Sequence, residues 1–265
     1  MRIYIITMDD PIQTYRFIKE IIDAKKDHIV GLAIPKGDRL TLSKGKSKYA
    51  YVLSLFLIMG PWQFFLTSLK TVIHKAQKKI YKLGLGKNPS IGAYAESLNI
   101  PVRIITTPNS KKFREFLTTL DLDVIINQSQ NIIKKELLSI PKIGVLNRHN
   151  ALLPKNRGRL TPFWVSFKDE KETGVSIHFV EEGIDSGDIV VQKKYKVEKK
   201  DNFNTIVKKN YKIASKAMIE AIDILSDNEY KLIINDDANA TYNTTPTLRE
   251  AIAYRKNRIK NSIKL

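Results

Sequence analysis

Residues 2–7 read RIYIIT and residues 28–34 read HIVGLAI, and between them Ile12, Tyr15, Ile18 and Ile22 fall on one face of a helical pattern. Two short apolar runs rich in β-branched residues, joined by an amphipathic helix, predict a β-α-β unit. Outward from this unit, runs at 101–106 (PVRIIT), 122–127 (LDVIIN) and 143–147 (IGVLN) alternate with helical patterns near 89–98, 110–119 and 131–138. Strands this apolar, spaced by helices, predict an α/β, Rossmann-like architecture with a mostly parallel sheet covered by helices on both faces. Ligands of such sheets bind outside the carboxyl ends of the strands.

Beyond Thr161 the rhythm changes. The pattern predicts a helix at about 161–168, a strand at 173–180, a turn through Glu182, Gly183 and Asp185, a strand at 188–197 and a long helix over 203–226. Residues 229–234 and 239–243 flank Asp236, Asp237 and Asn239 and read as a small hairpin before a basic C-terminal helix. The expected organisation is a main domain over 1–228, with an insert at about 40–87, and a short C-terminal extension over 229–265. A length of 265 residues suits one substantial core.

The chain has no Cys, which excludes a disulfide framework, thiolate metal sites and a cysteine nucleophile. Metal-ligand spacing, a P-loop and a glycine-rich dinucleotide fingerprint are also absent, so no metal is expected. With no secretory leader pattern at its start, the chain reads as cytoplasmic. The net charge of +18 is unevenly placed. Residues 36–87 hold eleven Lys or Arg against Asp38 alone, and the tail from Arg249 holds six against Glu250 alone.

Tyr49–Leu66 contains eighteen residues without a charge, preceded by Lys44, Lys46 and Lys48 and followed by Lys70, Lys75, Lys78 and Lys79. Gly60 and Pro61 divide it into halves too short to span a bilayer. A buried helical pair is the first expectation; an amphipathic element over 44–82 lying on an anionic membrane is the second.

Asn147 and His149 lie two apart at the end of an apolar run, so on a strand both point to one side. Taken singly, neither they nor Asp185 is diagnostic: an N-x-H triplet is common, a lone His is usually structural, and an Asp after Gly183 can shape a turn. His178 alternates with Ile177 and Phe179 and reads as structural or substrate-adjacent, His28 and His74 as solvated, and Trp62 and Trp164 as packing residues.

Context changes the weighing. Asn147-Arg148-His149 is followed by Ala151-Leu152-Leu153-Pro154, then Arg157-Gly158, Lys171-Glu172-Thr173-Gly174-Val175 and Glu182-Gly183-Ile184-Asp185-Ser186-Gly187-Asp188. This block resembles the formyltransferases that use 10-formyltetrahydrofolate, with Ala151 in place of a Ser common among them. Among the members it is closest in layout to stand-alone amino-sugar N-formyltransferases. The resemblance implies N-formyl transfer with Asn147, His149 and Asp185 as the catalytic residues. The chemistry suits them. Attack of a neutral amine on a formyl carbon develops an oxyanion, which Asn147 and a protonated His149 can meet with hydrogen bonds, and Asp185 can accept the proton lost by the amine. The resemblance also implies a pterin site between 127–133 and the loop before Asp185, assigning Gln128, Ser129, Gln130, Leu153, Glu182 and Gly183 to folate, largely through backbone groups. Asn131 reads equally well as a helix N-cap.

The acceptor is reached by elimination. The first β-α turn, Thr7-Met8-Asp9-Asp10-Pro11, has no glycine, whereas relatives acting on glycinamide ribonucleotide carry a glycine-rich phosphate turn there. Relatives acting on initiator methionyl-tRNA carry a further barrel domain, and few residues follow Glu229 here. The favoured acceptor is a nucleotide-linked amino sugar used in surface polysaccharide, with a homodimer compatible with that reading. Methionyl-tRNA, with the basic insert and tail as the RNA surface, is the alternative. A non-catalytic folate-binding or membrane-docked protein is the third expectation, opposed by the intact Asn147, His149 and Asp185.

Overall fold

The computed structural model describes residues 1–36, 47–227 and 229–263. Lys44, Lys46, the start of the expected insert at 40, the boundary position 228 and the last two residues of the tail lie outside the described residues. In chain order the elements are β1 (Ile3–Thr7), α1 (Thr14–Lys25), β2 (Ile29–Pro35), α2 (Lys48–Met59), α3 (Pro61–Lys82), α4 (Ile91–Ser97), β3 (Val102–Ile105), α5 (Lys111–Thr118), β4 (Val124–Gln128) and α6 (Lys135–Leu138). They continue with β5 (Gly144–His149), β6 (Arg157–Gly158), α7 (Thr161–Phe167), β7 (Glu172–Phe179), β8 (Ile189–Lys196), α8 (Phe203–Ser226), β9 (Tyr242–Asn243) and α9 (Leu248–Ile263).

The main sheet has the order β3-β2-β1-β4-β5-β7-β8. β3, β2, β1, β4 and β5 run parallel, and β7 is antiparallel to both of its neighbours. Alternation along the strands gives the two faces. Ile3 and Ile5 pack with Phe17, Ile18 and Ile21 of α1 and with Ala214 and Met218 of α8, while Tyr4 and Ile6 pack with Phe113 and Leu117 of α5. Each such fully buried Ile stabilises the fold by about 1.5–3 kcal/mol. The chain steps from β1 outward to β2 and β3 and then returns to the other side of β1 with β4. This reversal opens a crevice at the carboxyl ends of β1, β4 and β5.

Three local expectations differ. The helix expected over 131–138 is only Lys135–Leu138, and Asn131 does not cap it: Asn109 Oδ1 accepts from the Lys134 N–H at 2.9 Å instead. The hairpin over 229–234 and 239–243 does not form. Ile233 bridges Ile189, and Tyr242–Asn243 pairs with Arg157–Gly158. The fully buried Arg157 guanidinium donates to Asn235 O and Oδ1, Asp237 Oδ1 and the Tyr242 hydroxyl. Long-range polar partners therefore outcompete a two-stranded ribbon that is marginal on its own.

The third difference is in the insert. Its uncharged run is indeed two helices, but they are not a buried pair. Met59 O accepts from Asn204 Nδ2 and Leu57 O from Arg255 Nε, which satisfies the last carbonyls of α2; Gly60 takes a φ of 86°, and Pro61 opens α3. The two axes bend by 119°. Only the α2 half turns inward, with Ile58 against Phe163 and Tyr254, whereas Trp62, expected to pack, is exposed. Trp164 is buried. Among the described residues no single helix is long and apolar enough to cross a membrane.

Candidate active site

The carboxyl end of β5 positions the first two candidates. Asn147 and His149 lie on the same face of that strand, and the pairing of β5 with β7 sets Asn147 opposite His178 and His149 opposite Ser176. Asp185 lies in the loop between β7 and β8 with a φ of 49°, a left-handed conformation that Asp tolerates better than most residues. The loop is fixed from outside: Asn235 Nδ2 donates to Asp185 O at 2.8 Å and to Gly187 O at 2.9 Å.

Asp185 Oδ2 accepts the Gly158 N–H at 2.8 Å and lies 3.4 Å from His149 Nδ1. Gly158 is required there. Its φ is 101°, and a Cβ would sit 2.1 Å from the carbonyl oxygen of Asn243. His149 Nε2 donates to the Asn156 carbonyl at 2.8 Å, so this nitrogen is committed inward and not free to meet an oxyanion. Asn156 is itself held by Glu170, Asn243 and Thr241.

His178 completes the group, and its Nε2 lies 3.6 Å from Asp185 Oδ1. Its Nδ1 donates to Phe179 O at 2.7 Å, so Nε2 is left as an acceptor facing the carboxylate. Burial pushes the His178 pKa down to about 4 despite the nearby Asp185, so the ring is neutral near pH 7. Burial alone would raise the Asp185 pKa, but His149, which faces it through Nδ1, and the Gly158 N–H hold it well below the usual carboxylate range.

The amide of Asn147 is oriented by a relay. Arg148 Nε donates to Gln128 Oε1 at 3.0 Å, and Gln128 Nε2 then donates to Asn147 Oδ1 at 2.9 Å. A guanidinium only donates, so the direction of each bond is fixed, and Asn147 keeps Nδ2 as its outward group. Arg148 is clamped between the rings of Tyr211 and Phe17, 4.2 and 4.9 Å from their centres.

The remaining candidates flank this group. Gln128 is buried at the end of β4; Ser129 follows, bonded to Asn127 Oδ1 through N–H and hydroxyl; Gln130 is exposed. Glu182 and Gly183 lie on the exposed start of the Asp185 loop, and Lys135 Nζ approaches Glu182 to 3.8 Å across the gap between the two segments. Leu153 is buried, with its N–H given to Ser176 and its carbonyl taken by Gln192, so only its side chain can line a ligand.

No local pattern singles out the Arg148–Gln128 relay, and His178 reads from its strand only as structural or substrate-adjacent. The same alternation that put Asn147 and His149 together also puts His178 on one side of β7, but the register between strands is a long-range fact. His74, expected to be solvated, is buried with Nε2 3.7 Å from Asp9 Oδ2, because α3 folds back over the end of β1. Among the described residues no group of three or more His, Cys, Asp or Glu could hold a metal ion.

The model of the formyl transferase family matches residues 73–222, more than half of the chain. The methionyl-tRNA formyltransferase of Kosmotoga olearia is 34% identical over 159 residues, which cover 60% of this chain and 51% of that protein. The chain spans about half the length of the curated relatives it matches. Among solved structures, glycinamide ribonucleotide transformylase 1 from Symbiobacterium toebii superposes with a TM-score of 0.60 at 14% identity, covering 89% of this chain and 94% of that one. The N-formyltransferase from Helicobacter canadensis, solved with folinic acid and dTDP-3-aminofucose, gives 0.56 at 16% identity, covering 92% and 71%.

Proposed function

Because the chain belongs to the formyl transferase family, we propose that it moves a formyl group from 10-formyltetrahydrofolate to a primary amine. The observation that carries this reading is the convergence of Asn147 and His149, on one face of β5, with a half-buried, ionised Asp185 at the carboxyl edge of the sheet. N-formyl transfer needs a donor aimed at the oxygen where charge develops and an acceptor for the proton leaving the amine. Asn147 Nδ2, oriented through Gln128, is that donor. Asp185 is the acceptor through Oδ1, since Oδ2 is held by Gly158. His149 orients and electrostatically supports Asp185, and a fixed donor such as Asn147 is worth roughly 3 kcal/mol of barrier.

The residues fit a reduced folate. The segments after β4 and before Asp185 carry Ile132 and Ile184, 84% and 64% exposed, which offer apolar contact to a flat pterin beside backbone polar groups. When bound, the folate would supply the activated formyl group and the nitrogen that leaves, which takes up the proton that Asp185 accepts from the amine. Gln128, Ser129, Gln130, Leu153, Glu182 and Gly183 are the residues we assign to holding it, Gln128 through its main chain because its side chain is spent on Arg148, Asn127 and Asn147.

The proposed acceptor is the amine of a nucleotide-linked amino sugar for surface polysaccharide. Two observations support it. Asp9 and Asp10 fill the β1–α1 turn and spend their oxygens on Lys78, Ile91, Ile12 and Thr14, so the turn offers no cradle to the phosphate of glycinamide ribonucleotide. The Helicobacter canadensis enzyme, solved with an amino-sugar nucleotide, shares this fold. A second reading, formylation of methionyl-tRNA, is favoured by the curated relatives. Release of tetrahydrofolate on adding a dTDP-linked amino sugar, and none on adding methionyl-tRNA, is the expected result. The reverse result replaces the first acceptor with the second, and no release with either removes both.

A further inference from the structure

We propose that the outward face of α3 docks on an anionic lipid bilayer. Trp62, Phe65, Leu69, Val72, Ile73 and Ile80 are all exposed, and their spacing puts them in one stripe of a 22-residue helix. Single exposed apolar residues are ordinary, but an aligned run marks a contact surface. Trp62 is 71% exposed at the start of the stripe. The opposite side of α3 is already in use: His74 is buried near Asp9, Lys78 Nζ donates to Asp9 Oδ2 at 2.5 Å, and Phe64 meets Phe56 of α2 edge-on. The helix is therefore anchored by one face and presents the other.

Charge selects the occupant. Residues 47–88 contain seven lysines and neither Asp nor Glu. Lys70, Lys75, Lys79 and Lys82 are exposed on α3 itself, the first three towards the flanks of the stripe and Lys82, in the last turn, on the side of Phe64. A second copy of this chain, docked through the same face, would set its own lysines of 47–88 against these. An anionic bilayer instead pairs the lysines with lipid phosphates while the stripe enters the boundary between headgroups and acyl chains, with Trp62 at headgroup level. The helix then lies in the plane of the membrane, in accord with the 119° bend that prevents α2 and α3 from forming one straight span.

This surface is narrower than the 44–82 element the sequence pointed to. The uncharged run begins at Tyr49, but Ile58 turns its α2 half towards the protein, so the docking face begins at Trp62 and extends into the lysine-rich half of α3. The proposal is independent of the acceptor amine.

The test is flotation of the full chain with vesicles of phosphatidylcholine alone or mixed with phosphatidylglycerol. The protein should float with the mixed vesicles only. Each of Lys70, Lys75 and Lys79 changed to Gln should weaken binding roughly fivefold. Phe65→Ser and Ile73→Ser should each weaken it roughly tenfold or more at an unchanged thermal midpoint. Trp62 emission should shift to the blue on binding, a shift lost in Trp62→Phe. Failure to float with the mixed vesicles, flotation indifferent to Phe65 and Ile73, or a lipid-independent dimer that these substitutions dissociate would each overturn the proposal. The last outcome would give the stripe to a second copy.

Discussion

The Asp185 loop and α3 are both departures from a plain β-α rhythm, and they meet solvent in opposite ways. In the loop, Gly158, His149 and Asn235 hold the carboxylate and its backbone, and the segment carrying Asn235 comes from the far end of the chain. In α3, one face is tied to Asp9 and the other leaves an apolar stripe uncovered. Buried polar groups cost free energy unless paired, so a catalytic loop must bring its partners with it. Exposed apolar residues carry no such demand within the chain, and what they lack is supplied from outside.

The largest break in this contrast is Asp185→Asn. Asn keeps an oxygen for the Gly158 N–H, so the loop should hold, while the carboxylate that takes the amine proton is lost. Turnover should fall by roughly 10²–10⁴ with the thermal midpoint little changed. A near-normal rate would take Asp185 out of the reaction.

The next is a matter of pH. His178 has a folded pKa of about 4 against an ordinary value of 6.5. Between those values the unfolded chain binds a proton that the folded chain refuses, so stability is complete above the ordinary value and falls as pH drops towards 4. The loss should approach about 3 kcal/mol across this window, as urea midpoints at successive pH values would show. His178→Asn, which can still donate to Phe179 O, should flatten that slope. Asp185 acts in a lower window: its depressed pKa adds stability present above the ordinary carboxylate value and lost only as pH falls well below it. A slope that persists in His178→Asn would assign the acid sensitivity elsewhere.

What the sequence showed and what it hid divide along the same line. The sheet and its helices were legible because apolar period and capping are local; α8 runs Phe203–Ser226 as read, opened by the reciprocal Asn202–Thr205 cap. The side shared by Asn147 and His149 follows from strand alternation alone. The place of His178 beside them requires the register of β5 on β7. The buried state of His74 requires α3 to meet Asp9, and the absent hairpin requires Arg157 to capture Asn235 and Asp237. Each of these rests on a contact between distant parts of the chain that no local pattern encodes.

The relay from Arg148 through Gln128 to Asn147 gives the smallest effect and the sharpest test. Wild-type Gln128 accepts from Arg148 and donates to Asn147 Oδ1, which leaves Asn147 Nδ2 facing outward. Gln128→Glu keeps the size of the side chain and strengthens its bond to Arg148, but a carboxylate has no proton to give. Asn147 then gains by turning its Nδ2 towards the introduced carboxylate, which presents an oxygen where a donor is needed. A fold-stabilising position would show its loss in the thermal midpoint, and a substrate contact would show it in KM. A residue that orients the oxyanion donor should instead lower kcat, by roughly tenfold to a hundredfold, with KM and midpoint nearly unchanged, because only the interaction strengthened in the transition state is removed. A Gln128→Glu enzyme with wild-type kcat would show that the orientation of Asn147 is set without the relay.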